Sequence, residues 1–91
     1  MSQIRVERAH QLGKEAAREK AERLVDKLVS KYDMSAQWNG DVVELKRSGV
    51  TGQVEVAEDK VVVEMKLGMM LSMMAPMIES EINRALDKAL A

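Results

Sequence analysis

Apolar residues recur along this chain with two periods, and the switches between them mark out its elements. Gln3–Arg8 alternates Ile4 and Val6 with polar neighbours, the signature of a short strand with one buried face, ending at Ala9 or His10. From about His10 to Asp33 the spacing changes. Ala17, Ala21, Leu24, Leu28 and Tyr32 step by three or four, widened by Leu12, Ala16, Val25 and Val29, which predicts a long amphipathic helix. The early part of that stripe is alanine, so one end of the helix can approach its packing partner closely. On the outer face Glu19–Arg23 and Arg18–Glu22 are spaced to pair, each pair contributing only about 0.2–0.5 kcal/mol. These charges read as a solvated face.

Four strands with usable alternation follow. Met34, Ala36 and Trp38 lead to the turn Asn39-Gly40-Asp41, and Val43 and Leu45 carry the return strand to Arg47, making a hairpin. After Ser48-Gly49, Val50, Val54 and Val56 alternate with Thr51, Gln53 and Glu55. Gly52 leaves a gap in that buried row, which marks either a bulge or the close approach of another backbone or a helix. Beyond Ala57-Glu58-Asp59, Val61, Val63, Met65 and Leu67 face in while Val62, Glu64 and Lys66 face out. Gly68 separates this strand from a final helix that runs to about Leu90, with Met70, Met74, Met77 or Ile78, Ile82 with Glu81 beside it, Ala85, Leu86 and Ala89 as its stripe. Pro76 interrupts it. A proline kinks a helix interior or starts a new helix at a first-turn position, and a kink is the expectation here.

The order is thus β-α-β-β-β-β-α. Two helices across one face of an antiparallel sheet define a two-layer α+β domain, with the first strand joining an edge of the meander. A small helix-grip sheet is the most comparable architecture, and residues 1–91 form one domain.

Composition changes the picture in one place. Five of the eight methionines fall within Leu67–Met77, a stretch of eleven residues without a charge. As a helix, Met69–Met74 would be apolar on nearly every face, interrupted only by Ser72, so one side meets the core and another must meet something else. Methionine suits either role, being flexible and polarizable. The stretch is too short to span a bilayer, which takes about 20 apolar residues. Fourteen basic and fifteen acidic residues give a net charge of −1 and no broad positive field for nucleic acid. The absence of cysteine excludes disulfide and thiol chemistry, and no basic n-region with an apolar run opens the chain, so a cytoplasmic protein is expected.

Candidate chemistry is sparse. His10, the one histidine, stands where strand turns to helix and has no nucleophile motif beside it, which fits local hydrogen bonding or capping. Asp33, Asp41, Glu58 and Asp59 belong to separate turns and form no spaced metal-ligand set. Gly49-Val50-Thr51-Gly52 lacks the Lys-Ser/Thr of a phosphate loop. Trp38 reads as a packing anchor or the rim of a groove. No catalytic residue, metal site or cofactor follows from these residues.

The motifs His10-x-Leu12-Gly13 with Glu15-Ala16, Trp38-x-Gly40-Asp41, Gly49-Val50-x-Gly52, Leu67-Gly68 and Ile78-Glu79-x-x-Ile82 with Leu86 together resemble one family over essentially the full length. It is that of the polyhydroxyalkanoic acid system proteins. These are small bacterial proteins associated with polyhydroxyalkanoate biosynthesis and utilisation genes, some of them placed at the granule surface. The family carries no established catalytic residues, so the resemblance implies a setting rather than a reaction. The expectation is a non-enzymatic cytoplasmic protein, associating with granules or regulating granule proteins. Its binding surface would comprise Met69, Met70, Met73, Met74 and Met77, with Trp38. A symmetric homodimer through the same methionines is the competing use of that surface. Two other classes stand beside it: a small helix-grip carrier or enzyme holding a hydroxyacyl chain near Trp38, and a ribosome-hibernation-like RNA binder. Against the second, the long helix carries acids and bases equal to within one residue.

Overall fold

The computed structural model describes residues 2–90, and the side chains of Ser2 and Met70 lie outside that description. Strand β1 (Ser2–Ala9) leads to helix α1 (Lys14–Tyr32), followed by the strands β2 (Ser35–Asn39), β3 (Val42–Arg47), β4 (Val50–Val56) and β5 (Lys60–Leu67). A 3-10 helix (Met69–Met74) then runs directly into helix α2 (Ala75–Leu90). The sheet is antiparallel throughout, in the order β1-β5-β4-β3-β2. The meander is expected from its short turns, and β1 joins it at the edge formed by β5. Helix α1 therefore carries the chain from one edge of the sheet to the other.

Register explains the single covered face. Ile4, Met65, Gly52, Leu45 and Ala36 lie level across the five strands, and Val6, Val63, Val54, Val43 and Trp38 form the next level. Most of these residues are fully buried against Ala17, Ala21, Leu24, Val25 and Leu28 of α1 and Ile78, Ile82 and Leu86 of α2. Ala17 and Ala21 let the first half of α1 sit close to the sheet, as their size predicts. The row between, including Gln53, Glu44 and Glu64, faces the open side, as does the row of Lys66, Thr51 and Lys46. Val62 also points there but is buried, flanked in register by Glu7 and Glu55.

The gap at Gly52 is a close approach and not a bulge. Pairing with β3 and β5 continues without interruption, and a Cβ at this position would stand 3.0 Å from the Glu64 carbonyl oxygen and 3.0 Å from Met65 Cγ. Met65 occupies the space that the missing side chain leaves.

Three expectations are corrected. Helix α1 begins at Lys14 rather than near His10, because Gly13 at φ 81° turns the chain, and its carbonyl accepts the first helical bond from the Ala17 N–H (3.0 Å). Met34 is not part of β2. It lies buried beyond the helix end, where Asp33 adopts a left-handed conformation (φ 55°) and the Met34 N–H returns to the Val29 carbonyl at 3.2 Å. Pro76 does not kink a helix that began at Met69. It occupies the first turn of α2, where its missing N–H costs no helical bond, and the methionines before it wind as a 3-10 helix.

Candidate functional site

The methionine segment is held by its N-terminal junction. The Gly68 N–H donates to the Gly49 carbonyl (2.7 Å), the Leu71 N–H to the Gly68 carbonyl (3.0 Å), and the Ser72 hydroxyl to the same carbonyl (3.1 Å). With no charged side chain to compete and this anchor in the β3–β4 turn, the tighter winding extends to Met74. At three residues per turn, positions three apart share a face. Leu71 and Met74 are one such pair, and both reach towards the core: Leu71 packs over Gly49, and Met74, still 37% exposed, closes a crevice against Tyr32, Met34 and Ile78. Met69 and Met73 are left outside, 81% and 90% exposed, with Met77 of α2 at 56%. The Met70 side chain, expected in the same surface, lies outside the described residues.

That crevice has a volume of about 40 Å³. It suffices for a water molecule or a methyl group, not for an acyl chain. A wider shallow depression of about 330 Å³ lies on the open face of the sheet, lined by Glu44, Lys46, Glu64 and Lys66. It does not communicate with the methionines, which stand on the opposite layer.

Trp38 does not share a surface with the methionines. It lies level with Val63, four residues before Leu67 along the strand direction, about 13 Å, and on the far edge strand from β5. Its ring is half-buried beneath the Arg18 guanidinium, 3.9 Å from the ring centroid. Arg18 also donates to the Gly40 carbonyl (2.8 Å) and approaches Asp41 Oδ1 (3.3 Å), while Lys14 Nζ lies 2.6 Å from Asp41 Oδ2. The Lys14 hydrogen bond holds the Asp41 carboxyl below its ordinary range, and Asp41 in turn raises Lys14. This cluster ties the start of α1 to the β2–β3 hairpin. Sequence spacing assigns Arg18 to Glu22, a contact that exists at 3.2 Å. Stacking on Trp38 depends on tertiary placement and leaves no local signal.

His10 is buried, and it makes the expected local hydrogen bond together with longer-range ones. The Leu12 N–H donates to Nδ1 (3.2 Å) and Nε2 lies 3.2 Å from the Ala57 carbonyl, an arrangement that suits the neutral ring with its proton on Nε2. Its own N–H reaches the Asp59 carbonyl at 2.8 Å, so the β1–α1 loop is clamped to the β4–β5 turn. Among the described residues no three carboxylate, histidine or cysteine side chains gather as metal ligands, and no helix is long and apolar enough to cross a membrane.

In the first half of α2, Glu81 accepts hydrogen bonds from both Lys31 and Tyr32 of α1. Lys31 first and Tyr32 second hold its carboxyl below the ordinary range. Burial, then the Glu81 hydrogen bond, push the Tyr32 phenol up to about 12. Arg8 of β1 reaches Asp87 (3.0 Å) and Asn83 on the opposite flank of α2. Both flanks of α2 are thus fixed, and Met69, Met73 and Met77 protrude from a positioned support.

The fold and this surface define a small two-layer α+β protein with an uncharged, methionine-bearing end where the sheet passes into its last helix. The chain belongs to the family described as putative polyhydroxyalkanoic acid system protein, which matches residues 4–90. No curated protein and no solved structure matches it.

Proposed function

We propose that this is a non-enzymatic protein of the polyhydroxyalkanoate system that works in the cytoplasm at the granule surface. It would meet the polymer or its coat proteins through Met69, Met73 and Met77. The observation that carries the reading is the outward projection of these side chains from a segment free of charge between Leu67 and Ile78. Covering an apolar side chain of this size releases roughly 1.5–3 kcal/mol. Three of them supply reversible rather than permanent attachment once the costs of association are met. Flexible thioether chains also adapt to a polyester surface that offers no fixed pocket. Family membership supplies the setting, and the methionines supply the means.

Sedimentation with native-size polyhydroxyalkanoate particles tests this. The protein is expected to pellet with the particles and to be monomeric without them. The triple variant Met69→Ser, Met73→Ser, Met77→Ser should stay in the supernatant with an unchanged melting temperature. Met74 is left intact because it closes the crevice over Ile78. Pelleting of the triple variant overturns the proposal. So does a stable dimer that ignores the particles, since the methionines would then be covered by a second copy.

A further inference from the structure

Helix α1 carries six basic and four acidic residues, and four of the six bases share one flank. Lys20, Arg23, Lys27 and Lys31 step by three, four and four along the flank that faces α2, and Arg84 and Lys88 face them from α2. Glu81 is the one acidic residue among them, and it is already engaged by Lys31 and Tyr32. Arg23 has only the exposed Glu19 at 3.7 Å. Lys20, Lys27, Arg84 and Lys88 make no ion pair among the described residues. Of the 14 basic and 15 acidic residues of the chain, six and one line this groove, leaving eight and fourteen elsewhere. A nearly neutral protein therefore concentrates its positive charge between its two helices.

The floor of the groove is different in kind. Leu24 and Leu28 lie at its base with Ala85 and Ala89 opposite, and the small alanines keep it open. Two contiguous hollows of about 230 and 220 Å³ share Leu24, Lys27, Ala85 and Lys88. From Lys20 to Lys31 the rim extends about 16 Å, some three helical turns.

We propose that this groove is a docking site for an acidic amphipathic helix of a partner protein. The visitor's apolar stripe would lie on Leu24, Ala85 and Ala89, with its carboxylates reaching the cations on both rims. Charge complementarity is the argument for an acidic occupant, and the apolar floor is the argument for a helix over a phosphate backbone. Single-stranded nucleic acid gains from stacked aromatic rings, and the one ring at the groove, Tyr32, is held by Glu81 at its end. Neither helix of a second copy can fill the role, because both apolar faces are buried in their own core.

The probe is a fluorescently labelled synthetic helix of three to four turns, with leucine and alanine on one face and glutamate along both flanks, followed by anisotropy. Saturable binding that weakens as salt is raised is expected. The double variant Arg84→Glu, Lys88→Glu should bind at least tenfold more weakly. Ala89→Phe, which fills the floor and leaves the charge unchanged, should also lose at least tenfold, while Lys46→Glu, on the open face of the sheet, should bind as well as the unaltered protein. Circular dichroism of each variant separates lost binding from lost folding. The proposal is overturned if the labelled helix does not bind, if a scrambled peptide of the same composition binds equally, or if an oligouridylate binds more tightly than the helix. Because the groove variants retain Met69, Met73 and Met77, the particle-binding reading stands or falls separately.

Discussion

Tyr32 and Glu81 share a hydrogen bond and answer pH in opposite directions. The phenol is the chain's only one, and its folded value of about 12 stands above the ordinary 10.0. Its contribution is therefore complete below pH 10 and is lost as pH rises through about 12. Glu81 is held below its ordinary 4.5, so its contribution is present above that value and is lost as pH falls through the folded one. Titration of the tyrosinate absorbance should give a single midpoint near 12, and Glu81→Gln should lower it while leaving it above 10, because burial is the larger cause. A midpoint at 10 in the unaltered protein would mean that the phenol is neither buried nor bonded to Glu81 in solution. The methionines differ among themselves in a way that chemistry can read. Met69 and Met73 are exposed, whereas Met34 and Met65 are 5% and 3% exposed. Dilute peroxide should convert Met69 and Met73 to sulfoxide well before Met34 and Met65, as peptide mass mapping would record. Equal rates would contradict the assignment of faces.

Strand β4 depends on having no side chain at its third position. In Gly52→Ala the added methyl would meet a backbone carbonyl of the neighbouring strand that cannot withdraw, so thermal unfolding should report a loss of about 1–3 kcal/mol despite the better strand propensity of alanine. The strands themselves are legible from alternation because one face is buried at every level, and a shift of one residue would expose Val43, Val54 and Val63 together. Helix α1 is legible for the same reason, although its first turn is not: Gly13 offers no side-chain cap of the Ser, Thr or Asp kind. The winding of Met69–Met74 escapes sequence altogether. Met and Leu favour 3.6 residues per turn, and the segment instead starts from a tertiary anchor, the Gly68 N–H on the Gly49 carbonyl, nineteen residues earlier and brought beside it by the sheet. Pro76 is compatible with both windings, and only the placement of its helix start shows which of its two roles it fills.

The two surfaces proposed for contact occupy one layer and leave the other to water. The methionines project at one end of the helical layer, and the cationic groove runs from there, past Tyr32 and Glu81, towards Lys20 and Ala89. A molecule seated by its methionines keeps the length of that groove accessible. The methionine surface is visible in sequence as a stretch without charge. The groove is hidden by counting, since acids and bases nearly cancel over the chain as a whole, yet the spacing of Lys20, Arg23, Lys27 and Lys31 already places them on one flank. Trp38 is the reverse case, an aromatic residue whose sequence position suggests a place beside the methionines and whose strand carries it to the distant edge. Its location has an optical consequence. The chain has one tyrosine and one tryptophan. Tyr32 closes α1 beside the crevice under Met74, while Trp38 lies under Arg18, a residue fourteen positions, or about 21 Å of helix axis, back from Tyr32. Light absorbed at the methionine end can pass to the indole by resonance energy transfer. The unlabelled protein thus carries its own donor and acceptor, one at each end of the helix, and a contact at either end alters a different partner of the pair.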